Sequence, residues 1–136
     1  MILTDTGPLI AIIDTDDSDH QICVAELDAV ALPLQTVLPV LTEAMHMLGR
    51  MKGWQGQSLL WDMILKGDLQ VIEMTGDDLK RVRVLMEKYN SLPMDLADAS
   101  LVAVAERLNR GKIFTLDSDF NIYRLHGRRP FDVIPE

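Results

Sequence analysis

Residues 94–116 read MDLADASLVAVAERLNRGKIFTL, and this stretch decides the fold class. The segment from Asp95 to Leu108 is apolar almost all round after its first turn, which predicts a helix enclosed by the rest of the protein. Asn109 and Gly111 are typical of the residues at which a helix ends. The run Lys112 to Leu116 follows and predicts a buried strand. A buried helix that leads into a buried strand is the repeating unit of an α/β protein.

The same alternation of strands and helices extends over the whole chain, without internal repeats or linker-like stretches. It predicts parallel pairing with helices on both faces of the sheet. We therefore expect an α/β fold in one domain, residues 1–136, with a parallel sheet of about five strands. Ligands of such sheets bind beyond the carboxyl ends of the strands. The other predicted elements are strands at Met1–Thr4, Leu34–Val37, Leu69–Met74 and Phe131–Ile134, and helices at Ser18–Val30, Pro39–Met51, Gln57–Lys66 and Asp77–Tyr89.

Short polar motifs predict where several elements begin or end. Asp5-Thr6-Gly7-Pro8 is typical of a turn that ends the first strand. Ser18 with Gln21 forms a capping-box pattern and predicts a helix start. Thr75 and Asp78 mark the start of a later helix.

Composition limits the class of protein. The chain has 136 residues, of which 48% are hydrophobic and 25% charged, and this suits one globular core. Cys23 is the only cysteine, so no internal disulfide forms and a cytoplasmic location is expected. The apolar run from Gly7 to Ile13 is far shorter than the roughly 20 residues that span a bilayer, so no membrane attachment is expected.

The charge balance argues against a polyanionic partner. Thirteen Lys and Arg stand against 21 Asp and Glu, for a net charge of −8. Residues 1–49 contain eight acidic residues and no Lys or Arg, so the negative surplus lies in the first third. The basic residues cluster later, and an acidic chain can therefore still present basic patches.

Two aspartates directly follow predicted strands. Asp5 comes after the first strand, and Asp117 comes after the strand that ends at Leu116. Both are expected at the carboxyl edge of the sheet, where ligands bind. Aspartate also caps strand-to-helix turns, and for either residue alone this structural role is an equally good explanation.

Glu43 lies on a helical stripe with Val40, Ala44 and Met47, which predicts that its carboxylate is buried. An unpaired buried carboxylate costs several kcal/mol, so a cation is expected nearby. The first basic residue, Arg50, lies about two helical turns away. The alternative is a glutamate that simply reaches solvent.

Asp95 and Asp98 stand three residues apart at the start of the enclosed helix. The positive end of a helix stabilises a carboxylate by about 0.3–1 kcal/mol, which accounts for Asp95 without a ligand. Asp98 lies one turn deeper, between Ala97, Ala99 and Leu101, and needs a stronger partner.

Four acidic residues from separate segments are therefore expected to converge at one sheet edge: Asp5, Glu43, Asp98 and Asp117. Several carboxylates this close stay ionised only beside strong positive charge. Oxygen ligands without a His or Cys cluster favour Mg²⁺ or Mn²⁺, and Asp95 and Asp119 would extend the ligand set. Two Mg²⁺ ions would halve the formal charge of −8 and allow an acidic chain to hold a phosphodiester.

Four motifs carry a family resemblance: Ile2-Leu-Thr-Asp5-Thr-Gly-Pro-Leu, Leu41-Thr-Glu43, Met94-Asp-Leu-Ala-Asp98-Ala-Ser-Leu-Val and Thr115-Leu-Asp117-Ser-Asp119-Phe. In this order and spacing they resemble the PIN-domain family, and the chain length is similar to that of VapC-type toxins of toxin–antitoxin pairs. No single motif is specific, but the four in register are. The resemblance covers nearly the whole chain.

The resemblance implies a doubly wound, PIN-like sheet and a Mg²⁺-dependent ribonuclease, the toxin of a type II toxin–antitoxin pair. It also implies a homodimer and a small antitoxin partner that blocks the cleft. Thr6 matches a position that is commonly Ser or Thr, although a plain turn hydroxyl explains it equally well. Asp95 and Asp119 match positions that are often acidic. The residues that match the acidic ring of the family are Asp5, Glu43, Asp98 and Asp117.

Arg124, Arg128 and Arg129 follow the last acidic motif and are candidates for contacts with an RNA backbone. Solvated surface charge explains these arginines equally well. Trp54, Trp61 and Tyr123 are candidates for base stacking, but packing or a dimer contact is the better explanation for Trp61.

Three other functions compete with a nuclease. A phosphatase with an aspartyl nucleophile also uses an Asp after the first strand, but it usually has a second Asp two residues later, where this chain has Gly7. A phospho-acceptor receiver module would need a Lys at a strand end. The third alternative is a catalytically silent dimerising scaffold that keeps its acidic residues by chance.

Overall fold

A parallel sheet of five strands forms the centre of the computed structural model, which describes residues 1–136. The strand order is β3-β2-β1-β4-β7, and a separate antiparallel ribbon pairs β5 with β6. This confirms the predicted parallel sheet of about five strands. The strands are β1 (Ile2–Thr4), β2 (Leu34–Val37), β3 (Leu69–Ile72), β4 (Lys112–Phe114), β5 (Arg124–Leu125), β6 (Arg129–Pro130) and β7 (Asp132–Ile134).

Five helices connect the strands: α1 (Thr6–Ile13), α2 (His20–Ala29), α3 (Leu38–Lys66), α4 (Gly76–Lys88) and α5 (Leu96–Leu108). α1 packs against α2 and α3, while α4 packs against α5. The chain runs outward from β1 to β3 and then crosses back to β4. Since crossovers between parallel strands are as a rule right-handed, connections that run in opposite directions place the two helix groups on opposite faces, as predicted. None of these helices combines the length and the apolar character needed to cross a bilayer.

The strand order reverses at β1, which pairs with β2 on one side and β4 on the other. At such a point the connections leave in opposite directions and open a crevice beyond the carboxyl ends of the two strands. Asp5 directly follows β1, and Asp117 lies three residues beyond the end of β4 at Phe114. The topology therefore brings both aspartates to one crevice.

The enclosed helix predicted from the sequence is α5. Its buried residues include Leu101, Val102 and Val104, each with no exposed surface. Asn109 ends the helix in the left-handed conformation, at φ 53°. The burial of α5 fixes its first turn, and with it Asp98, against the sheet.

The first helix was not predicted. Asp5-Thr6-Gly7-Pro8 is the start of α1 rather than a simple turn, because the side chain of Asp5 accepts the N–H of Thr6 and caps the helix. Buried apolar residues occupy most sides of this short helix. It therefore lacks the one-sided pattern that identifies a surface helix.

The prediction of a capping box at Ser18 was wrong. α2 begins at His20, with Asp19 as its N-cap residue and without a hydrogen bond to a capping side chain. Asp17 accepts the N–H of Asp19 instead. Aspartate side chains compete for local backbone amides in this way and move the helix start.

α3 joins the two helices predicted at Pro39–Met51 and Gln57–Lys66. Only Gly53 departs from helical geometry, at φ 62° and ψ −153°, and it kinks the helix there. This conformation strongly favours glycine. The ribbon of β5 and β6 and the 3-10 turn at Ser118–Asn121 were not predicted.

The predicted start of α4 is confirmed, and the structure shows a capping box there: the Thr75 hydroxyl accepts the N–H of Asp78 at 3.1 Å, and the Asp78 carboxylate accepts the N–H of Thr75 at 2.9 Å. We expect Thr75→Ala to lower the free energy of unfolding by about 1 kcal/mol, since it removes one of these bonds. Urea unfolding followed by circular dichroism measures the change. Thr42→Ala on the exposed side of α3 is the control, and an equal loss in both variants would contradict the role of the cap.

Candidate metal centre

Asp5 occupies the corner between β1 and α1. Its N–H donates to the carbonyl oxygen of Phe114 on β4 at 2.8 Å, so the residue lies in the crevice between the two strands. Its Oδ1 accepts the N–H of Thr6 at 2.8 Å. Asp5 is only 7% exposed. Strand pairing and helix capping together fix its carboxylate at the point where the strand order reverses.

Thr115 links Asp5 to Asp117. Its hydroxyl donates to Oδ2 of Asp5 at 2.9 Å and accepts the N–H of Asp117 at 3.0 Å. Asp117 accepts the N–H of Asp119 through Oδ1 at 2.9 Å and caps the 3-10 turn. The other oxygen of Asp117 has no protein partner and is available to a ligand.

Asp98 enters the crevice from the first turn of α5 and is only 6% exposed. Asp95 caps this helix, since its Oδ1 accepts the N–H of Asp98 at 2.8 Å. The hydroxyl of Tyr123 donates to Oδ2 of Asp98 at 2.9 Å. The cap therefore sets the backbone at Asp98, and Tyr123 contacts its carboxylate.

Carboxylate oxygens of Asp5, Asp98 and Asp117 lie within 4.8 Å of one another. These residues are called the three-aspartate cluster below. None of them takes part in any ion pair of the structure. The cluster lines a cleft of about 250 Å³. Negative charge is thus concentrated in a cleft without a basic side chain to balance it.

Burial and mutual repulsion change the acidity of this cluster. Burial, with the charges of Asp117 and Glu43, raises the pKa of Asp5 from 3.8 to about 6. Burial, with the charges of Asp5 and Asp95, raises the pKa of Asp98 to about 8. At neutral pH, Asp98 therefore retains a proton unless a cation takes the place of that proton.

The buried hydroxyl of Thr6 is a second indication that the cleft can hold a hydrated cation. This hydroxyl is buried and makes no hydrogen bond of standard geometry within the protein, with Glu43 as the carboxylate that faces it. Thr6 lines the same cleft as the three-aspartate cluster. A buried hydroxyl without a partner is costly, and a water molecule held by an ion would satisfy it. The all-carboxylate donor set suits Mg²⁺ or Mn²⁺, which bind oxygen ligands and retain water.

Glu43 was predicted to be buried, and this was wrong. Val40 and Ala44 are buried, but Met47 is 38% exposed and Glu43 is also exposed. The reason is that this side of α3 faces the open cleft rather than the sheet. Partial desolvation beside the cleft and the charge of Asp95 still raise the pKa of Glu43.

Glu43 and Asp95 line the cleft but lie outside the cluster of oxygens within 4.8 Å. The structure therefore brings together three of the four main acidic residues and places Glu43 on the rim. Asp119 does not line the cleft; it contributes its backbone N–H to Asp117.

None of the three arginines predicted to contact an RNA backbone lines the cleft of the three-aspartate cluster. The Arg124 guanidinium donates to three carbonyl oxygens of the 3-10 turn region. Arg129 donates to Asn109 at the far end of α5 at 2.7 Å, about 16 Å along the helix axis from Asp98 at 1.5 Å per residue. Arg128 is exposed. Two of the three arginines, Arg124 and Arg129, therefore donate hydrogen bonds within the protein.

Sequence reasoning did not identify Thr115 and Tyr123 as parts of the site. The Thr-x-Asp spacing of residues 115–117 is a usable signal for the first, since such hydroxyls often bond to the amide two residues on. Tyr123 was a candidate for base stacking, which is wrong because it has no exposed surface. No local sequence signal predicts its contact with Asp98.

Similar proteins were found by sequence and by structure. Ribonuclease VapC26 of Mycobacterium tuberculosis (strain ATCC 25618 / H37Rv) is 24% identical over 135 residues, which cover 98% of this chain and 100% of that protein. The crystal structure of Mycobacterium tuberculosis VapC20, a toxin that cleaves the sarcin-ricin loop, matches with a TM-score of 0.84 and 19% identity over 96% of this chain and 100% of that one.

VapBC2 from Rickettsia felis, solved with a DNA fragment from its promoter, matches with a TM-score of 0.67 and 18% identity over 88% of this chain and 91% of that one. These structural matches establish the doubly wound fold. The PIN domain family model matches residues 2–125, which include every acidic residue of the cleft. The chain therefore belongs to the PIN domain family.

Proposed function

We propose that this chain is a divalent-metal-dependent ribonuclease with the three-aspartate cluster as its metal site. The observation that carries the proposal is the set of three carboxylate oxygens within 4.8 Å, without a basic partner, of which Asp5 and Asp98 are buried and Asp117 is half-buried. Family membership and the ribonuclease name of the VapC26 relative favour RNA over other phosphodiesters. Mg²⁺ is the proposed metal and Mn²⁺ the alternative.

A bound divalent ion would stabilise charge on the phosphate and lower the pKa of the attacking water, which accounts for hydrolysis without a protein general base. Asp5, Asp98 and Asp117 would hold the ion, and the Thr6 hydroxyl would orient a water beside it. The hydrogen bonds from Thr115 keep Asp5 and Asp117 in a fixed relation. We propose products with 5′-phosphates.

Glu43 and Asp95 would act at the rim of the cleft, where the RNA backbone enters. Together with oxygens of a substrate phosphate, these two carboxylates would supply ligands for a second divalent ion. The raised pKa of Glu43 is consistent with a carboxylate that gains from a nearby cation.

We also propose that the chain is the toxin of a toxin–antitoxin pair, with a small antitoxin and a second copy of the chain as partners. One structural match is described as a toxin–antitoxin complex from Klebsiella pneumoniae, and another as VapBC2 from Rickettsia felis bound to a promoter DNA fragment. Large apolar side chains remain exposed along α3, and such surface is typical of protein contacts. They are Leu38, Met47, Met51, Trp54, Leu59, Trp61 and Leu65.

Incubation of end-labelled structured RNA with the protein tests the ribonuclease proposal. We expect cleavage in Mg²⁺ or Mn²⁺, none in EDTA, and 5′-phosphate ends that a 5′-phosphate-dependent exonuclease then degrades. Cleavage that persists in EDTA would refute the metal site. Hydrolysis of a small phosphate monoester with no RNA cleavage would instead favour the phosphatase alternative.

The alternatives lack the residues that they need. Gly7, which lines the cleft, occupies the position where an aspartyl phosphatase usually has its second Asp. A receiver module would need a Lys in the site, and no Lys lines the cleft. A silent scaffold would not need the hydrogen bonds that hold Asp5 and Asp117 together.

Glu43→Gln is expected to lower the rate of RNA cleavage without weakening the binding of the first ion. Because Glu43 lies outside the three-aspartate cluster, Mn²⁺ affinity should be nearly unchanged, while the cleavage rate falls about 10- to 100-fold. Isothermal titration with Mn²⁺ and an RNA cleavage assay measure the two effects. Glu87→Gln, at an exposed glutamate of α4, is the matched control. Loss of Mn²⁺ binding in Glu43→Gln would show that Glu43 is a ligand of the first ion.

A further inference from the structure

Tyr123 lies six residues after Asp117, at the end of the turn that Asp117 caps. It has no exposed surface. Its ring makes edge-to-face contacts with Phe120 at 5.0 Å and with Tyr89 at 5.1 Å between centroids. These contacts hold the ring in one orientation, because an aromatic side chain packed on two sides has little rotational freedom.

The orientation of the ring directs its hydroxyl to the carboxylate of Asp98. The oxygen of Tyr123 lies 2.9 Å from Oδ2 of Asp98, and no other protein group donates to this carboxylate. Repulsion from Asp5 and Asp117 acts to turn the Asp98 side chain away from the cluster. The tyrosine bond opposes this motion and leaves Oδ1 free.

The same arrangement occurs on the other side of the cleft. Thr115 donates to Oδ2 of Asp5, and the Thr6 N–H donates to its Oδ1. Asp5 and Asp98 are thus each held by a neutral hydroxyl that comes from the chain around Asp117. Residues 115–123 therefore connect all three members of the cluster.

We propose that Tyr123 is a positioning residue, which holds one oxygen of Asp98 so that the other is presented to the metal ion. This inference rests on the proposed function. Groups that orient metal ligands typically contribute 10- to 100-fold to metal affinity. Tyr123 does not bind the ion itself. It restricts the Asp98 side chain in the metal-free protein and so lowers the conformational entropy that is lost when the ion binds.

The test compares Tyr123→Phe with Tyr89→Phe. Each substitution removes one hydroxyl from the same aromatic group and keeps the ring. The Tyr89 hydroxyl accepts the N–H of Arg124 at 3.2 Å and contacts no carboxylate, so it is the matched control. Mn²⁺ affinity is measured by isothermal titration and by electron paramagnetic resonance of free Mn²⁺, with RNA absent.

We expect Tyr123→Phe to weaken Mn²⁺ binding about tenfold and Tyr89→Phe to leave it unchanged. Equal affinity in wild type and Tyr123→Phe would overturn the inference, as would a lower melting temperature with unchanged Mn²⁺ affinity. If Tyr123→Phe is less stable, metal affinity is compared through the rise in melting temperature that Mn²⁺ causes in each protein, measured against the same protein without metal. Wild-type protein that binds no Mn²⁺ would instead refute the proposed function.

Discussion

Asp98→Asn is expected to lower the rate of metal-dependent RNA cleavage about 1000-fold, a larger effect than that of any substitution at the rim of the cleft. Asp98 is the most deeply perturbed carboxylate of the cluster, with a pKa raised to about 8 by burial and by the charges of Asp5 and Asp95. Asparagine keeps the shape of the side chain and an oxygen that can accept from Tyr123. It lacks the negative charge that an ion requires.

The same substitution should stabilise the metal-free protein at alkaline pH. Above pH 8 the wild-type carboxylate is ionised beside Asp5 and Asp117, and asparagine removes this repulsion. Each kcal/mol gained raises the melting temperature by about 4 °C in a chain of this size. Thermal melts in EDTA at pH 9 measure the gain, and Asp28→Asn, at an exposed acid of α2, is the control. Lower stability of Asp98→Asn at that pH would contradict the repulsion argument.

The second large effect is a loss of stability of the metal-free protein as the pH rises. The pKa values of Asp5 and Asp98 in the folded state are about 6 and about 8, against 3.8 for an unperturbed Asp. Between these values the folded state binds more protons than the unfolded state. The free energy of unfolding is therefore highest at the acidic end of this range and falls as the pH rises, by at most about 1.4 kcal/mol per pH unit for each carboxyl.

Urea unfolding in EDTA from pH 5 to pH 8 measures this slope. This range avoids the region near pH 4 and below, where the lowered pKa of Asp78, caused by hydrogen bonds from Arg107 and Thr75, has the opposite effect on stability. Saturating Mg²⁺ should raise stability and remove most of the fall, because the ion favours the ionised carboxylates of the folded state. A slope that is equal with and without Mg²⁺ would argue against an ion at the three-aspartate cluster.

Much of the fold follows from the sequence, because α5 and its following strand are strongly patterned. The enclosed helix between Asp95 and Asn109 was predicted nearly to the residue, since capping and burial agree there. α1 was missed because a short helix buried on most sides has no polar face to reveal its period. The kink at Gly53 depends on how the two halves of α3 pack, which local sequence does not determine.

The candidate site was predictable in part for a topological reason. The strand order places the residues that follow β1 and β4 at one crevice. The backbone topology alone therefore brings Asp5 and Asp117 close together. The exposure of Glu43 depends on how α3 overhangs that crevice. The contact between Tyr123 and Asp98 depends on tertiary packing of an aromatic group, and no spacing rule anticipates it.

The pairing of β1 with β4 joins residues near position 3 to residues near position 113, and this separation has a consequence for biosynthesis. While the ribosome is still adding the last fifth of the chain, the central strand lacks one neighbour and the cleft lacks Asp117. Contacts between residues so far apart in sequence form late and slowly. A nascent chain therefore cannot assemble the three-aspartate cluster until residues 112–117 have left the ribosome.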